Sequence, residues 1–151
     1  MTLFTVEGLS PAPQGSKRHV GGGRMIESSA KVKPWREAVR QEALATGAPM
    51  TDQPVFVQLT FRFIRPKGHL NAKGLLKPSA PIDHSKRPDL DKLCRSTLDG
   101  LTGALFADDS QVSFMVASKE YASPGQREGA TIEVRIMGSM GCELEVGRWL
   151  D

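Results

Sequence analysis

The chain has 151 residues, 39% hydrophobic and 25% charged, with a net charge of +3. That balance predicts one folded domain over residues 1–151, and no apolar run approaches the ~20 residues of a membrane helix. Two cysteines, Cys94 and Cys142, are too few for a disulfide scaffold or a four-ligand zinc site, and no signal peptide is visible, so a reducing cytoplasmic location is expected.

In chain order, Leu3 to Gly8 reads as a short strand. Leu9 to Lys33 is a long polar segment containing Gly21-Gly22-Gly23. Pro34 suits the first turn of a helix on which Trp35, Ala38, Val39 and Ala43 recur at helical spacing, and Gly47 can end it. Val55, Val57, Leu59, Phe61 and Phe63 alternate as a strand should. Arg65 to Pro88 is a second long segment rich in Pro and Gly. Asp89 then stands where an N-cap belongs, and Leu90, Leu93, Cys94, Leu98 and Leu101 form one helical stripe that Gly103 can stop. Val112, Phe114 and Val116 alternate as a strand, and so do Ile132, Val134 and Ile136. The tail, residues 138–151, has no assignment. The order β-α-β-α-β-β predicts an α+β fold, a small mixed β-sheet covered by two helices.

Charge is unevenly spread. Residues 16–40 and residues 65–87 each carry a net +5, whereas residues 89–151 carry −5. Basic segments attract polyanions, and an acidic cluster repels them unless a cation sits in it. A nucleic-acid enzyme that holds metal ions needs both; solvated loops of mixed charge would show the same counts. The acidic part contains Arg87-Pro88-Asp89-Leu90-Asp91-Lys92-Leu93-Cys94-Arg95, then Leu98-Asp99-Gly100-Leu101, then Asp108-Asp109-Ser110-Gln111-Val112. Phosphodiester hydrolysis requires an activated water and stabilisation of charge on the phosphate. Mg²⁺ supplies both and prefers carboxylate oxygens. Each acid also has a purely structural use. Asp89 can cap the helix, Asp91 can favour its positive end, Asp108-Asp109 can be ordinary turn chemistry, and Asp99 can pair with Arg95 or Lys92.

These motifs together resemble the RusA family of Holliday junction resolvases. The resemblance rests on Pro88-Asp89-Leu90-Asp91-Lys92-Leu93, Arg95, Leu98-Asp99-Gly100-Leu101 and Asp108-Asp109-Ser110-Gln111-Val112. It extends to the early Gly8, Pro11, Gln14-Gly15-Ser16-Lys17-Arg18 pattern, the Trp35 helix, Arg65-Pro66-Lys67 with His69, and Lys119, covering roughly residues 4–136. It implies a homodimeric, Mg²⁺-dependent endonuclease that cuts four-way DNA junctions in recombination and repair, with Mn²⁺ as an alternative ion. A phage or prophage source is implied as well. The family's essential carboxylates map onto Asp89, Asp91 and Asp109, with Asp108 assisting at the metal. Some members carry an important Lys where this chain has Arg95. The guanidinium keeps the charge, which suits phosphate contact or transition-state stabilisation and not general-acid chemistry.

Lys17, Arg18, Lys67, Lys86 and Arg87 read as phosphate contacts, against the plain alternative of solvated side chains. Lys119 shares strand parity with Ser113, Met115, Ala117 and Tyr121, and could reach the scissile phosphate or merely neutralise the carboxylates. Cys94 belongs to the apolar stripe. No Gly-rich loop followed by Lys-Ser/Thr is present, so no nucleotide cofactor is expected. Two other readings remain open: a module that binds branched DNA without cutting it, and a less selective Mg²⁺ nuclease acting on flaps or other branches.

Overall fold

The computed structural model describes residues 1–15, 18–19, 25–26 and 30–138. Its elements are β1 (Thr2–Glu7), β2 (Arg18–His19), β3 (Met25–Ile26), α1 (Val32–Ala45), β4 (Val55–Phe63), α2 (Leu90–Leu101), β5 (Val112–Tyr121) and β6 (Gly129–Ile136). The expected α+β class and the order of the main elements hold. The polar segment after β1 differs from expectation in containing the short β2–β3 ladder, in which Arg18 pairs with Ile26 and His19 with Met25.

The main sheet has the order β1-β6-β4-β5. β6 is antiparallel to both β1 and β4, whereas β4 and β5 are parallel. The alternation read from the sequence places Val55, Val57, Leu59, Phe61 and Phe63 on one face of β4. All five are buried, together with Ile132 and Val134 of β6 and Val6 of β1. The two helices cover this face through Trp35, Val39 and Ala43 of α1 and Leu93 and Leu101 of α2, forming one continuous core. β5 runs on to Tyr121, beyond the alternation of Val112, Phe114 and Val116, because after a register shift at Ser113 it pairs with β4 continuously from Phe114 to Tyr121.

Trp35 joins the helices with more than apolar contact. Its indole Nε1 donates to Thr97 Oγ1 at 3.1 Å, and Thr97 Oγ1 donates in turn to the Leu93 carbonyl at 2.8 Å. A buried indole N–H needs such a partner. After α2, Gly103 takes a positive φ of 82° and its N–H donates to the Phe106 carbonyl at 2.7 Å. That turn drives Leu105 and Phe106 into the core and lays the backbone beside Thr51, whose N–H donates to the Leu105 carbonyl at 3.0 Å. The next turn, Asp108–Gln111, is thereby fixed against the segment that enters β4.

Gly100 marks the closest approach of the helices. A Cβ there would lie 2.9 Å from the Arg36 carbonyl oxygen and 3.0 Å from Val39 Cβ. Alanine in mid-helix normally gains ~1 kcal/mol over glycine, but overpacking against backbone costs about 1–3 kcal/mol. Gly100→Ala is therefore expected to lower the urea midpoint at unchanged slope, a net loss of up to ~2 kcal/mol. A raised midpoint would mean that the helices part freely.

Candidate active site

The chain enters α2 through Lys86-Arg87-Pro88, with a cis Arg87–Pro88 peptide. Asp89 takes the extended backbone of an N-cap, with φ −68° and ψ 136°, and its carbonyl accepts the Leu93 N–H at 3.1 Å. Its side chain makes no capping hydrogen bond. The carboxylate instead faces Lys92, with Oδ2 3.4 Å from Nζ, and stays 53% exposed. Asp89 thus holds the capping position with its backbone and leaves its carboxylate available.

Asp91 lies in the first turn of α2, where the helix dipole favours a negative charge. Arg95 is one turn further on; both are exposed, and they form no ion pair among the described residues. Cys94 between them is buried. Burial first, and then the Asp91 charge, push its thiol up to about 11, as befits a core residue. The early motif reaches the same helix: the Gln14 N–H donates to the Lys92 carbonyl at 3.0 Å and Ser96 Oγ to the Ala12 carbonyl at 2.6 Å.

The second acidic pair is used asymmetrically. Asp108 Oδ1 accepts the Ser110 N–H at 3.1 Å, and Gln111 Oε1 accepts the N–H groups of Ala107 and Asp108, both at 2.9 Å. This is a capping box on a single 3₁₀ turn. The other end of the Gln111 amide donates to the carbonyls of Thr51 at 3.0 Å and Gln53 at 2.9 Å. The Ser110 N–H, followed by a hydrogen bond with Asp109, holds the Asp108 carboxyl below its ordinary range. That shared hydrogen bond, burial and then the charges of Asp108 and Asp99 raise Asp109. Asp109 has no capping duty in this turn.

Asp99 answers to α1 and not to Arg95 or Lys92: its Oδ2 lies 3.7 Å from Arg36 Nη1. Arg40 secures the same corner by donating to the Thr102 carbonyl at 2.9 Å. Asp109 feels Asp99, near the end of α2, while Asp89 and Asp91 occupy its start. From Asp91 to Asp99 the helix rises about 12 Å. Among the described residues no three His, Cys, Asp or Glu side chains are gathered closely enough to hold a metal ion. The donors are hard oxygens of the type Mg²⁺ takes, but within one chain they stand at two ends of a helix.

The basic residues also divide. Lys67, Lys86 and Arg87 are exposed. Lys119 is engaged: its Nζ donates to the Lys86 carbonyl and, at 2.9 Å, to the Pro88 carbonyl. The buried His84 ring lies between Phe63 and Tyr121, with centroids 4.8 and 4.6 Å away. Burial and then the Lys119 charge lower its pKa, which keeps it neutral. His69 meets Tyr121 edge-on at 5.2 Å, and Arg65 lies over the same ring at 4.5 Å. Lys17 and the side chain of Arg18 lie outside the described residues, as does the tail after Gly138.

Two residues that the sequence reading names have roles it does not assign. Gln111 was legible as the fourth residue of an Asp-x-x-Gln box. The carbonyl-binding role of Lys119 had no local signal.

An α+β scaffold that presents uncapped aspartates at a helix start and in a turn, beside exposed lysines and arginines, has the chemical make-up of a phosphodiester-cleaving protein. The family model described as Endodeoxyribonuclease RusA matches residues 9–137. The chain therefore belongs to the RusA endodeoxyribonuclease family. A search of curated proteins finds no match.

The Gln111 amide joins the acidic turn to the entry of β4, so Gln111→Ala should cost about 1–3 kcal/mol through its stranded partners. Asp89→Ala should change stability by less than ~0.5 kcal/mol, since no cap is lost. Thermal denaturation of both variants checks this contrast. Equal losses would mean that Asp89 caps the helix after all.

Proposed function

We propose that the chain is a structure-selective endodeoxyribonuclease that resolves four-way DNA junctions by Mg²⁺-dependent hydrolysis. It acts in recombination and repair, as a cytoplasmic homodimer. The observation that carries this reading is the release of Asp89 and Asp109 from capping at the motif positions where the family keeps essential acids. Asp108, already bound to Ser110, has the assisting place.

Asp89, Asp91 and Asp109 would hold Mg²⁺, or Mn²⁺ in its place, which when bound supplies an activated water and offsets phosphate charge. Arg95, exposed one turn from Asp91, offers a guanidinium to charge developing on the phosphate. Lys67, Lys86 and Arg87 contact neighbouring phosphates and orient the DNA.

The separation of the acids along α2 bears on the dimer. Ligands of one Mg²⁺ lie about 2 Å from it, and paired ions are about 3.5–4 Å apart. Acids at the two ends of a helix do not meet that condition in one chain. A second copy related by a two-fold axis can bring its Asp109 to the Asp89 and Asp91 of the first, giving two composite sites for two cuts.

Asp89→Asn, Asp91→Asn and Asp109→Asn should each abolish cleavage of a synthetic four-way junction in Mg²⁺ while leaving binding intact. Asp108→Asn should be milder. Mixing Asp91→Asn with Asp109→Asn protein and allowing subunits to exchange tests the composite arrangement. Each mixed dimer would regain one intact site, and single nicks should reappear. Continued silence, with exchange verified, would return each site to a single chain. Junctions bound but left uncut by the parental chain would favour the non-cleaving module.

Replacing Lys86 and Arg87 with Ala should flatten the log–log salt dependence of junction binding by up to ~2, at about 0.9 for each lost phosphate contact. An unchanged slope would make both residues ordinary solvated side chains.

A further inference from the structure

Lys119 lies opposite Phe61 in the parallel β4–β5 register, on the sheet face that meets the helices. Its ammonium bridges two backbone carbonyls, those of Lys86 and Pro88. These carbonyls flank the Arg87–Pro88 peptide, and the second belongs to the peptide plane that ends at the Asp89 nitrogen. Peptide planarity means that orienting this carbonyl also orients the N–Cα bond from which Asp89 departs. The Asp89 carboxylate has no capping bond to hold it, and its ion-pair partner is a half-exposed lysine. Its direction depends on the backbone behind it.

The two neighbours of Lys119 grip the same loop. Glu120 forms a β-bridge with Asp83, and Tyr121 packs on His84 at 4.6 Å. Three consecutive residues of β5 therefore hold residues 83–88, and Lys119 is the one that reaches the helix entry. An ammonium has three N–H donors, and two hydrogen bonds to carbonyls occupy most of that capacity.

We propose that Lys119 is a positioning residue, which fixes the Pro88–Asp89 peptide so that the Asp89 carboxylate is presented at the start of α2, and is not a DNA contact. This rests on the endonuclease reading above. A phosphate contact and a backbone clamp make opposite demands on binding. Losing a contact removes about 0.9 from the salt slope. Losing a clamp leaves DNA binding alone and disturbs the acid, and small misplacements at a reacting centre can cost ~10²-fold in rate.

Lys119→Met and Lys119→Arg in the full chain separate these cases. Junction binding in EDTA, measured over a range of salt, should show the parental slope for both. Single-turnover cleavage of the preformed complex, started with Mg²⁺, should fall at least ~10-fold for Met and recover most of the way for Arg, which keeps donors at the position. Amide exchange across residues 86–93 should quicken in Lys119→Met and return toward parental in Lys119→Arg. A slope lowered by ~0.9, or unchanged exchange in Lys119→Met, would overturn the proposal. If Lys119→Met does not fold, Lys119→Gln, which retains a donor on a shorter stem, carries the same measurements. If the parental chain leaves junctions uncut, the endonuclease reading falls, while slope and exchange still decide the role of Lys119.

Discussion

A parallel strand pair cannot be closed by a hairpin. β4 leaves the sheet at Phe63, beside Tyr121, and β5 enters at Val112, beside Val55. The chain must therefore return the length of the sheet between them, and residues 64–111 make that crossing. α2 is its stiff part. The helix begins where Lys119 reaches the Pro88 carbonyl, toward the far end of β5, and ends near the turn that precedes Val112. Topology alone thus puts Asp89 and Asp91 at one end of α2 and Asp108-Asp109 at the other. The separation of the acids follows from the strand pairing and not from a local accident.

The same residue type is then spent in two ways. A turn of three residues has little cooperative hydrogen bonding of its own, so the Asp108–Gln111 box supplies partners for the backbone at its start. α2 is longer, is anchored by Leu93 and Leu101 in the core, and is joined to α1 through Trp35 and Thr97. A helix held by packing can leave its N-cap side chain unused. Tertiary burial along α2 is what leaves an aspartate uncommitted at its start.

Most elements were legible because their signals are periodic. The alternation of Val55 to Phe63 survives as a buried face, and the stripe Leu90 to Leu101 survives as the packed side of α2. The backbone role of Asp89 was also visible, since an N-cap is a local pattern. What its side chain does was not visible, because that depends on Lys92 and on the packing of α2. The partner of Asp99 was misread for a related reason. Spacing offers Lys92 and Arg95 as neighbours, but Gly100 admits α1 so closely that Arg36 lies nearer. In β5 the hydrophobic alternation ends at Val116, and Lys119 and Tyr121 are placed on the strand by parity alone, because the later residues, Ser118 to Tyr121, are polar or amphipathic. They are ordered by pairing with β4 and not by hydrophobic alternation. Gln111 lies between these cases, with its box written locally and its links to Thr51 and Gln53 written in the fold.

The loop before α2 shows how one basic segment serves two ends. Arg65 donates to the Pro81 carbonyl at 2.6 Å and lies over Tyr121, and His84 is buried against that ring with its charge suppressed. A buried imidazolium beside Lys119 would add like-charge repulsion to the cost of desolvation, so the neutral ring is the form that packs. The polar residues that face the sheet are consumed in holding the loop. Lys67, Lys86 and Arg87 face solvent and keep their charge outward. The net charge of residues 65–87 therefore overstates what a ligand meets. Of the part that remains outward, Lys86 and Arg87 directly precede the entrance to α2, where their charge offsets that of Asp89 and Asp91.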